Sequence, residues 1–357
     1  MNEFLLSLTL GLLYPGMQPQ EATLLFAGDA MQHIAQIQSA KKSGDVYDYT
    51  GCFSEVRDYI SAADYAVVNF ETTLGGKPYA GYPCFSSPDS FADALSDAGF
   101  DLFLNANNHT LDRNSRGLEK TIETLDKKGI SHIGTYKNAA ARDSVLPFVK
   151  DVKGFKIAFL NYTYGTNGIK PNKVVKVDYI DTLQMKSDIE KSREAGAELV
   201  TVAVHWGDEY KLLPNKTQKR IADFLCRQGV DLIIGGHPHV IEPMEIRHLD
   251  KYDKDCLLVY SLGNFISNMK TTDTRGGALV KVTLQRDVKG RAVIKAANYS
   301  LVFTLQPPAS KQFQVVPVES ESTSLMKHAC NVFVKNAEAV FKKHNVKVER
   351  ESAIVEE

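Results

Sequence analysis

The sequence predicts an α/β fold with parallel strands, and its segment order and composition both favour this class. Apolar runs of strand length alternate with amphipathic runs of helix length through most of the 357 residues, and this alternation is typical of parallel sheets. The composition, with 43% hydrophobic and 24% charged residues, is that of an ordinary globular protein. The length is ample for a buried core, and it allows one large domain or two smaller domains.

The first half of the chain contains four predicted strands and three predicted helices. Short apolar runs that stop at polar or glycine residues predict strands at 23–27, 65–68, 100–104 and 131–134. Helical spacing of apolar residues predicts helices at 53–63, 87–99 and 115–128. Ser87 followed by Pro88 is a favourable helix start, and Gly129 is a favourable helix end.

The second half continues the alternation and adds antiparallel pairs. Two apolar pieces, at 145–149 and 156–160, flank Lys153-Gly154 and predict a hairpin. Helices are predicted at 181–195 and 216–228, and strands at 198–204, 230–234 and 256–260. The runs 278–285 and 292–302 alternate like antiparallel strands. After Pro307-Pro308 we predict a C-terminal helix at 322–343 and a frayed tail at 346–357.

These patterns divide the chain into three parts. Residues 21–306 are expected to form the main domain, and residues 307–357 a C-terminal helical extension. Residues 1–20 are expected to form a signal or another N-terminal segment, because residues 4–13 are apolar although Glu3 is the only early charge. The apolar run is too short to span a bilayer. The sequence leaves open a trimmed signal, a weak anchor and a segment packed against the domain.

Charge and cysteine content exclude some functions. The formal net charge is -1 and the pI is about 6.8, and no basic stripe is present, so we expect no nucleic acid as a partner. The five cysteines include no Cys-X-X-Cys pair, which argues against a zinc knuckle and a dense disulfide framework. We expect five free thiols, and a single bridge between Cys52 and Cys84 stays open.

The residues that follow the predicted strands indicate a metal centre. In open α/β sheets, ligands bind beyond the carboxyl ends of the strands. Six segments place polar side chains there, and these are Asp29, Asn69, Glu71, Asn108, His109, His205, His237, His239 and Asn264. Alone, each has an ordinary explanation as a cap, a turn residue or a core histidine. Together, carboxylate and amide oxygens with imidazole nitrogens predict one or two divalent transition metals, namely Mn, Zn or Fe.

His109 and Asp112 predict a second kind of chemistry. A carboxylate beside an imidazole orients the ring and raises its basicity. Such a histidine can act as a general acid towards a leaving group. The alternative is a local hydrogen bond that shapes the turn before the helix predicted at 115–128.

The same six segments resemble the CapA family, in the same order. The blocks are Gly28-Asp29-Ala30-Met31, Val68-Asn69-Phe70-Glu71, Asn107-Asn108-His109-Thr110-Leu111-Asp112, His205-Trp206-Gly207-Asp208-Glu209, Gly236-His237-Pro238-His239-Val240 and Tyr260-Ser261-Leu262-Gly263-Asn264-Phe265. That family is linked to poly-γ-glutamate capsule synthesis and belongs among the calcineurin-like metallophosphatases. The resemblance implies an αββα fold, in which a two-sheet β-sandwich is flanked by helices, with the site at one edge.

The resemblance also implies a role for each residue. Asp29 and His239 would bind a first metal and Glu71 would bridge, while a second metal would be held by Asn108, His205 and His237. His109 would donate a proton and Asp112 would hold it. The pocket would be lined by Asn69, Trp206, Glu209 and Asn264.

One residue departs from the wider phosphatase pattern. The third position of the first block is Met31, where those enzymes have a histidine, so the first metal loses one imidazole. His33 lies nearby at a different spacing, and we interpret it as a helix residue.

Three functions are consistent with the sequence. The first is a metal-dependent hydrolase of the phosphoesterase type. The second is a non-hydrolytic accessory subunit of a capsule polymer machine, with a capsule synthesis membrane complex as its expected partner, and the third is cleavage or transfer at amide bonds of poly-γ-glutamate. The expected substrate is anionic, either a phosphate ester or the polymer. The resemblance favours the cell envelope, and a cytoplasmic location stays open.

Overall fold

A computed structural model describes residues 20–351, so the expected N-terminal segment lies outside the described residues apart from its last position. Within residues 20–351 the chain forms seventeen strands. In chain order the strands are β1 (Glu21–Ala30), β2 (Tyr65–Phe70), β3 (Leu102–Leu104), β4 (Ser131–Ile133), β5 (Thr135–Tyr136), β6 (Phe148–Val152), β7 (Phe155–Thr163), β8 (Lys176–Val177), β9 (Leu199–His205), β10 (Leu232–Gly236), β11 (Met244–Leu249), β12 (Lys254–Val259), β13 (Asn264–Ile266), β14 (Gly276–Arg286), β15 (Ala292–Leu305), β16 (Gln314–Pro317) and β17 (Glu349–Arg350).

The same residues form eight α-helices. They are α1 (Ile34–Ala40), α2 (Arg57–Ser61), α3 (Ser90–Asp97), α4 (Asn114–Lys128), α5 (Ala139–Val145), α6 (Thr182–Glu194), α7 (Lys216–Arg227) and α8 (Lys327–His344). Local capping explains several boundaries. The Asp181 side chain accepts hydrogen bonds from the first turn of α6, and Gly129 ends α4 with a φ of 71°.

The strands build two large sheets. The first has nine strands in the order β16-β15-β14-β1-β2-β3-β4, with β13 paired to β1 and β17 to β15. The second has six strands in the order β11-β12-β10-β9-β7-β6. Parallel pairing joins β1 through β4 and β7, β9, β10 and β12, while β6, β11 and β14 through β16 pair antiparallel. The parallel core of the prediction is therefore confirmed, with antiparallel strands added at its margins.

The two sheets face each other across one apolar core. Phe26 and Val67 of the first sheet share a cluster with Phe159 and Leu232 of the second. Since side chains alternate along a strand, the neighbouring Leu25 of β1 points away from this core and joins a cluster with α2 and α3. The second sheet is covered in the same way by α6 and α7. These layers confirm the expected sandwich flanked by helices.

Some predicted elements differ from those in the structure. The helix predicted at 53–63 is only the short α2, preceded by a 3₁₀ turn at Thr50–Phe53. The C-terminal helix begins at Lys327, after a 3₁₀ turn at Glu321–Met326. The prediction of a frayed tail is wrong up to residue 351, because β17 pairs with β15 and Val348 is buried.

Two expectations from composition can be compared with the described part of the chain. All five cysteines carry free thiols, so the bridge between Cys52 and Cys84 is not formed. None of the helices found between residues 20 and 351 has the length and apolar character needed to cross a bilayer.

Candidate metal centre

The carboxyl ends of strands from both sheets meet at one edge of the sandwich. Asp29 is the register partner of Asn69 on β2 and of Asn264 on β13. In the second sheet, Gly236 at the end of β10 is the partner of His205 at the end of β9. Parallel strands run in the same direction, so their carboxyl ends, and the residues that follow them, lie at one edge of the sheet.

The structure brings together the side chains that the sequence selected. Donor atoms of Asp29, Glu71 and His205 all lie within 4.8 Å of one another, and donor atoms of Glu209, His237 and His239 form a second such group. All of these residues are buried except Glu209. Within the described residues, these are the two groups of His, Cys, Asp or Glu with this geometry.

Glu71 Oε1 lies at the middle of the site. It is 3.8 Å from His205 Nε2, 3.9 Å from His239 Nε2 and 4.0 Å from His109 Nε2. These distances are too long for hydrogen bonds, and the buried oxygen has no hydrogen-bond partner. Three imidazoles therefore surround a carboxylate oxygen without bonding to it.

Asn69 connects the two carboxylates. Its Nδ2 donates to Asp29 Oδ1 at 2.7 Å and to Glu71 Oε2 at 3.2 Å, and it lies 3.3 Å from His205 Nδ1. Its Oδ1 accepts from Asn107 Nδ2 at 3.3 Å. Asn107 also donates to the Phe70 carbonyl and accepts from the His109 amide. This amide pair positions the carboxylates relative to the histidines.

The end of β10, just before the turn that carries the two histidines, requires its glycines. A Cβ on Gly235 would lie 1.9 Å from the Tyr260 carbonyl oxygen, and one on Gly236 would lie 2.8 Å from Asp29 Oδ1. His237 and His239 then adopt φ values of 100° and 58°, a region that non-glycine residues rarely occupy. The backbone N–H of His237 donates to Asp29 Oδ2 at 3.3 Å. The unusual backbone thus directs both imidazoles towards the carboxylates.

Burial and neighbouring charges set the protonation of these groups. Burial, followed by the charge of Asp29, raises the pKa of Glu71 well above its ordinary value. Burial opposes ionisation of Asp29, but the hydrogen bond and charge of His239 outweigh it and lower the pKa of Asp29 to about 2. Burial also lowers the pKa of His205, and it lowers the pKa of His237 to about 3. Both rings are therefore neutral, which is the form that binds metals.

The donor set fits a divalent transition metal. Glu71 Oε1 and His237 Nδ1 are buried atoms without a hydrogen-bond partner, and buried polar groups normally have one. A cation would satisfy both. Carboxylate oxygens mixed with imidazole nitrogens, and no thiolate, suit Mn, Zn or Fe better than Ca.

His109 and Asp112 form the expected pair. His109 Nδ1 lies 2.7 Å from Asp112 Oδ2, and the same oxygen accepts from the Phe85 N–H at 2.7 Å. Burial raises the pKa of Asp112, an effect that the hydrogen bond and charge of His109 partly offset. His109 Nε2 faces Glu71, so its free nitrogen points into the cluster of donors.

Two other selected asparagines contact the histidines directly. Asn108 Oδ1 lies 2.8 Å from His205 Nε2, and Asn264 Oδ1 lies 3.0 Å from His239 Nδ1. His239 Nδ1 is also 3.2 Å from Asp29 Oδ2. Both asparagines therefore lie within the same network.

Trp206, Met31 and His33 lie outside the donor groups. The Trp206 indole N–H donates to the Tyr260 carbonyl at 2.9 Å, and the ring is buried in the core beneath the second sheet. Met31 is buried as well. His33 caps the start of α1, where its Nδ1 lies 3.2 Å from Gln36 Oε1. It does not replace the imidazole missing at Met31.

Two asparagines in this network were not selected from the sequence. Asn107 lies in the polar run that follows β3, next to the predicted site residues Asn108 and His109, so its position in the sequence could have identified it. Asn167 donates towards His109 Nδ1 at 3.5 Å and accepts from Asn108 Nδ2 at 3.3 Å. It lies in a long polar loop, where no sequence pattern distinguished it.

The fold is similar to that of one solved nucleotidase. The NAD nucleotidase of Haemophilus influenzae superposes with a TM-score of 0.51 at 12% identity, over 94% of this chain and 65% of that chain. This likeness concerns the fold alone. Together, the fold and the site define a protein of the metallophosphatase-like fold class with a candidate metal centre at one edge of its sandwich.

The particular family follows from sequence. Residues 23–269 match the model of the bacterial capsule synthesis protein family PGA_cap, and the chain belongs to that family. It is 28% identical over 277 residues to the PGA biosynthesis protein CapA of Bacillus subtilis, and 26% identical over 282 residues to the capsule biosynthesis protein CapA of Bacillus anthracis. Each alignment covers 74% of this chain, and they cover 68% and 64% of the two relatives. The CapA resemblance is thereby confirmed.

Proposed function

We propose that this protein is a metal-dependent hydrolase that acts in the synthesis of a capsule polymer. The observation that carries the proposal is the unpartnered Glu71 Oε1, which lies among the imidazoles of His109, His205 and His239. Unpaired buried polar atoms cost free energy, and they are retained where function needs them.

The chain would hold one or two ions through residues from both sheets. These residues are Asp29, Glu71, His205, His237 and His239, with Asn108 and Glu209 at the margin. A divalent transition metal bound there supplies Lewis-acid chemistry, which stabilises negative charge that develops on a substrate oxygen. Asn69 keeps the two carboxylates in place through its two hydrogen bonds.

The proton would come from His109. Its Nδ1 is held by Asp112, so Nε2 is the nitrogen available to a leaving oxygen. The buried Asp112 also accepts the Phe85 N–H, which fixes the carboxylate while it orients the ring. The pair would thus serve as a general acid with a fixed direction.

The substrate we propose is anionic, and poly-γ-glutamate and phosphate esters are the two candidates. The relatives from Bacillus are named for capsule and PGA biosynthesis, which supports the polymer and with it a place near the cell envelope in a membrane complex. The same names support a second candidate function, in which the chain binds the polymer without cleaving it. Cleavage or transfer at the amide bonds of the polymer is a variant of the first candidate function, the metal-dependent hydrolase.

The test is turnover with defined metals. The purified protein with Mn²⁺ or Zn²⁺ should hydrolyse a phosphodiester, a phosphomonoester or poly-γ-glutamate, with products followed by mass spectrometry. His109→Ala and His237→Ala should each lose activity at least a hundredfold, whereas His248→Ala, at an exposed histidine far along β11, should keep it. Equal activity in all three variants would contradict the proposal, and binding of the polymer without any product would favour the accessory function.

Metal content gives an independent test. Elemental analysis of the purified wild type should find bound Mn, Zn or Fe, and Glu71→Ala should lose most of it. His248→Ala serves again as the control. Wild type without metal after purification and dialysis against each ion would contradict the metal centre itself.

A further inference from the structure

We infer that three exposed tyrosines around the metal centre, Tyr82, Tyr164 and Tyr210, form a rim that binds an extended chain of planar amides. This inference rests on the proposed function and names the substrate class of that site. The ligand would be a γ-linked glutamate chain, whose flat amide groups are separated by short aliphatic spacers.

Exposure is the first observation. Tyr82, Tyr164 and Tyr210 are 74%, 48% and 52% exposed, and no other Phe, Tyr or Trp side chain is strongly exposed between residues 20 and 351. Exposed aromatic area costs solvation free energy, and such patches mark binding sites. That all three strongly exposed rings lie beside one site therefore calls for a local explanation.

Position is the second observation. The Tyr164 ring lies 4.6 Å from the ring of His237, and the Tyr210 ring lies 6.3 Å from that of His239. Tyr82 lies 6.4 Å from Phe85, whose ring is 4.6 Å from that of His109. Two of the rings thus lie next to histidines of the centre, and the third reaches His109 through Phe85.

The backbone holds two of these tyrosines in place. The N–H of Tyr164 donates to the His205 carbonyl at 3.0 Å, and the N–H of Tyr210 donates to the Pro238 carbonyl at 2.8 Å. Tyr210 adopts a φ of 65°, which is unfavourable for a bulky residue. The rings come from three separate loops, which follow β2, β7 and β9.

Charge is the third observation. Within residues 20–351, no Lys or Arg side chain forms a hydrogen bond or ion pair with Asp29, Glu71, His205, His237 or His239. The exposed Glu209 adds a negative charge beside His237 and His239. A polyanion therefore meets no Lys or Arg side chain bonded to these five residues, and the three tyrosines offer neutral contacts beside them.

Tyrosine supplies the neutral contacts that such a chain needs. Its ring face packs on planar amide groups and on methylene spacers, and its hydroxyl donates a hydrogen bond to a carboxylate without adding charge. Aromatic packing of this kind is worth about threefold to tenfold in affinity for each ring. A small ion such as phosphate would not reach the rim.

The test compares ligands on the full, Mn²⁺-loaded chain by calorimetry. The probes are a γ-linked glutamate oligomer, inorganic phosphate and a nucleoside monophosphate. Tyr82→Ala, Tyr164→Ala and Tyr210→Ala should each weaken oligomer binding about threefold to tenfold, and the triple variant about a hundredfold, with phosphate affinity within twofold of wild type. Leu183→Ala, at an exposed apolar residue of α6, is the matched control.

Several results would overturn the rim. The first is that the wild type does not bind the oligomer, and the second is that the triple variant binds it as tightly as the wild type. The others are that the tyrosine substitutions weaken phosphate binding as much as oligomer binding, or weaken nucleotide binding more than oligomer binding. The Phe variants keep the rings and should retain most of the oligomer affinity, which separates packing from misfolding. Failure of the hydrolase proposal is visible separately, because an oligomer that binds through the rim but yields no product refutes only catalysis.

Discussion

At the scale of single residues, the site depends on asparagine side chains as much as on the candidate metal ligands. Asn69 and Asn107 hold Asp29 and Glu71 near three imidazoles in a buried space. The raised pKa of Glu71 reflects its burial first and then the repulsion between two carboxylates this close together. The side-chain amide of Asn69 lowers the free-energy cost of holding Asp29 and Glu71 close together, because it donates a hydrogen bond to each of them.

The role of Asp112 leads to a residue-scale prediction. Asp112→Asn should lower kcat about tenfold to a hundredfold, because the amide no longer stabilises a charged His109 or fixes its tautomer. KM should stay within about twofold, since Asp112 does not face the substrate. Steady-state kinetics on whichever substrate is turned over would measure this.

A matched control is available in the same chain. Asp126 lies 3.1 Å from His132 Nε2 in a similar pair on the surface, so Asp126→Asn should leave kcat unchanged. If Asp112→Asn has wild-type kcat, His109 is not the proton donor.

At the scale of elements, strand ends were predictable and short pieces were not. The apolar runs of β1, β2, β9 and β10 stop at Asp29, Asn69, His205 and Gly236, so periodicity with polar strand ends located most of the site. Strand β13 has three residues, and β17 has two. Their pairing depends on the neighbouring strands β1 and β15 rather than on local pattern, which is why a frayed tail was predicted instead.

Trp206 shows a different limit of sequence reasoning. The family resemblance implied a place for it in the pocket, directly after the candidate ligand His205. Successive side chains along an extended backbone point to opposite faces, and here the indole enters the core and donates to the Tyr260 carbonyl. Neighbouring position in the sequence could not show which face each ring would take. Asn167 was missed for the opposite reason, since only the tertiary fold brings its loop to His109.

One buried contact between a helix and the site's loop predicts a pH effect on stability. Gln218, in the first turn of α7, donates to Glu242, which follows the His239 turn. Burial raises the pKa of Glu242 from 4.5 to about 8, although the hydrogen bond from Gln218 lowers it in part. Between these two pH values the unfolded chain releases a proton that the folded chain keeps. The stability that Glu242 contributes is therefore complete below pH 4.5 and is lost as the pH rises to about 8.

Glu242→Gln should remove this dependence because the amide stays neutral and can still accept from Gln218. We expect the variant to be more stable than wild type by less than about 1 kcal/mol at pH 5 and by on the order of 3 kcal/mol at pH 8. Urea unfolding at both pH values would measure the difference. Glu123→Gln, at an exposed residue of α4, should change stability by less than about 0.5 kcal/mol at either pH. An equal effect of Glu242→Gln at both pH values would contradict the raised pKa.

At the scale of the whole molecule, the centre joins the two sheets. Asp29 and Glu71 come from the first sheet and His205 and His237 from the second, and the carboxyl ends of both converge at this edge. An ion held by all four would bind only when the sandwich is assembled. Metal binding should then stabilise the entire fold, beyond its local effect on the loops.

The expected size follows from linkage. An ion present at a hundred times its dissociation constant stabilises the folded state by about 2.7 kcal/mol, which corresponds to a rise in Tm of roughly 5 °C for a domain of this size. Calorimetric unfolding of the dialysed protein with and without Mn²⁺ or Zn²⁺ should show this rise. The rise should disappear in His237→Ala and persist in His248→Ala, because only the first of these histidines belongs to the shared edge. A similar rise in both variants would place the ion elsewhere, and no rise in wild type would mean that the two sheets do not share an ion at this edge.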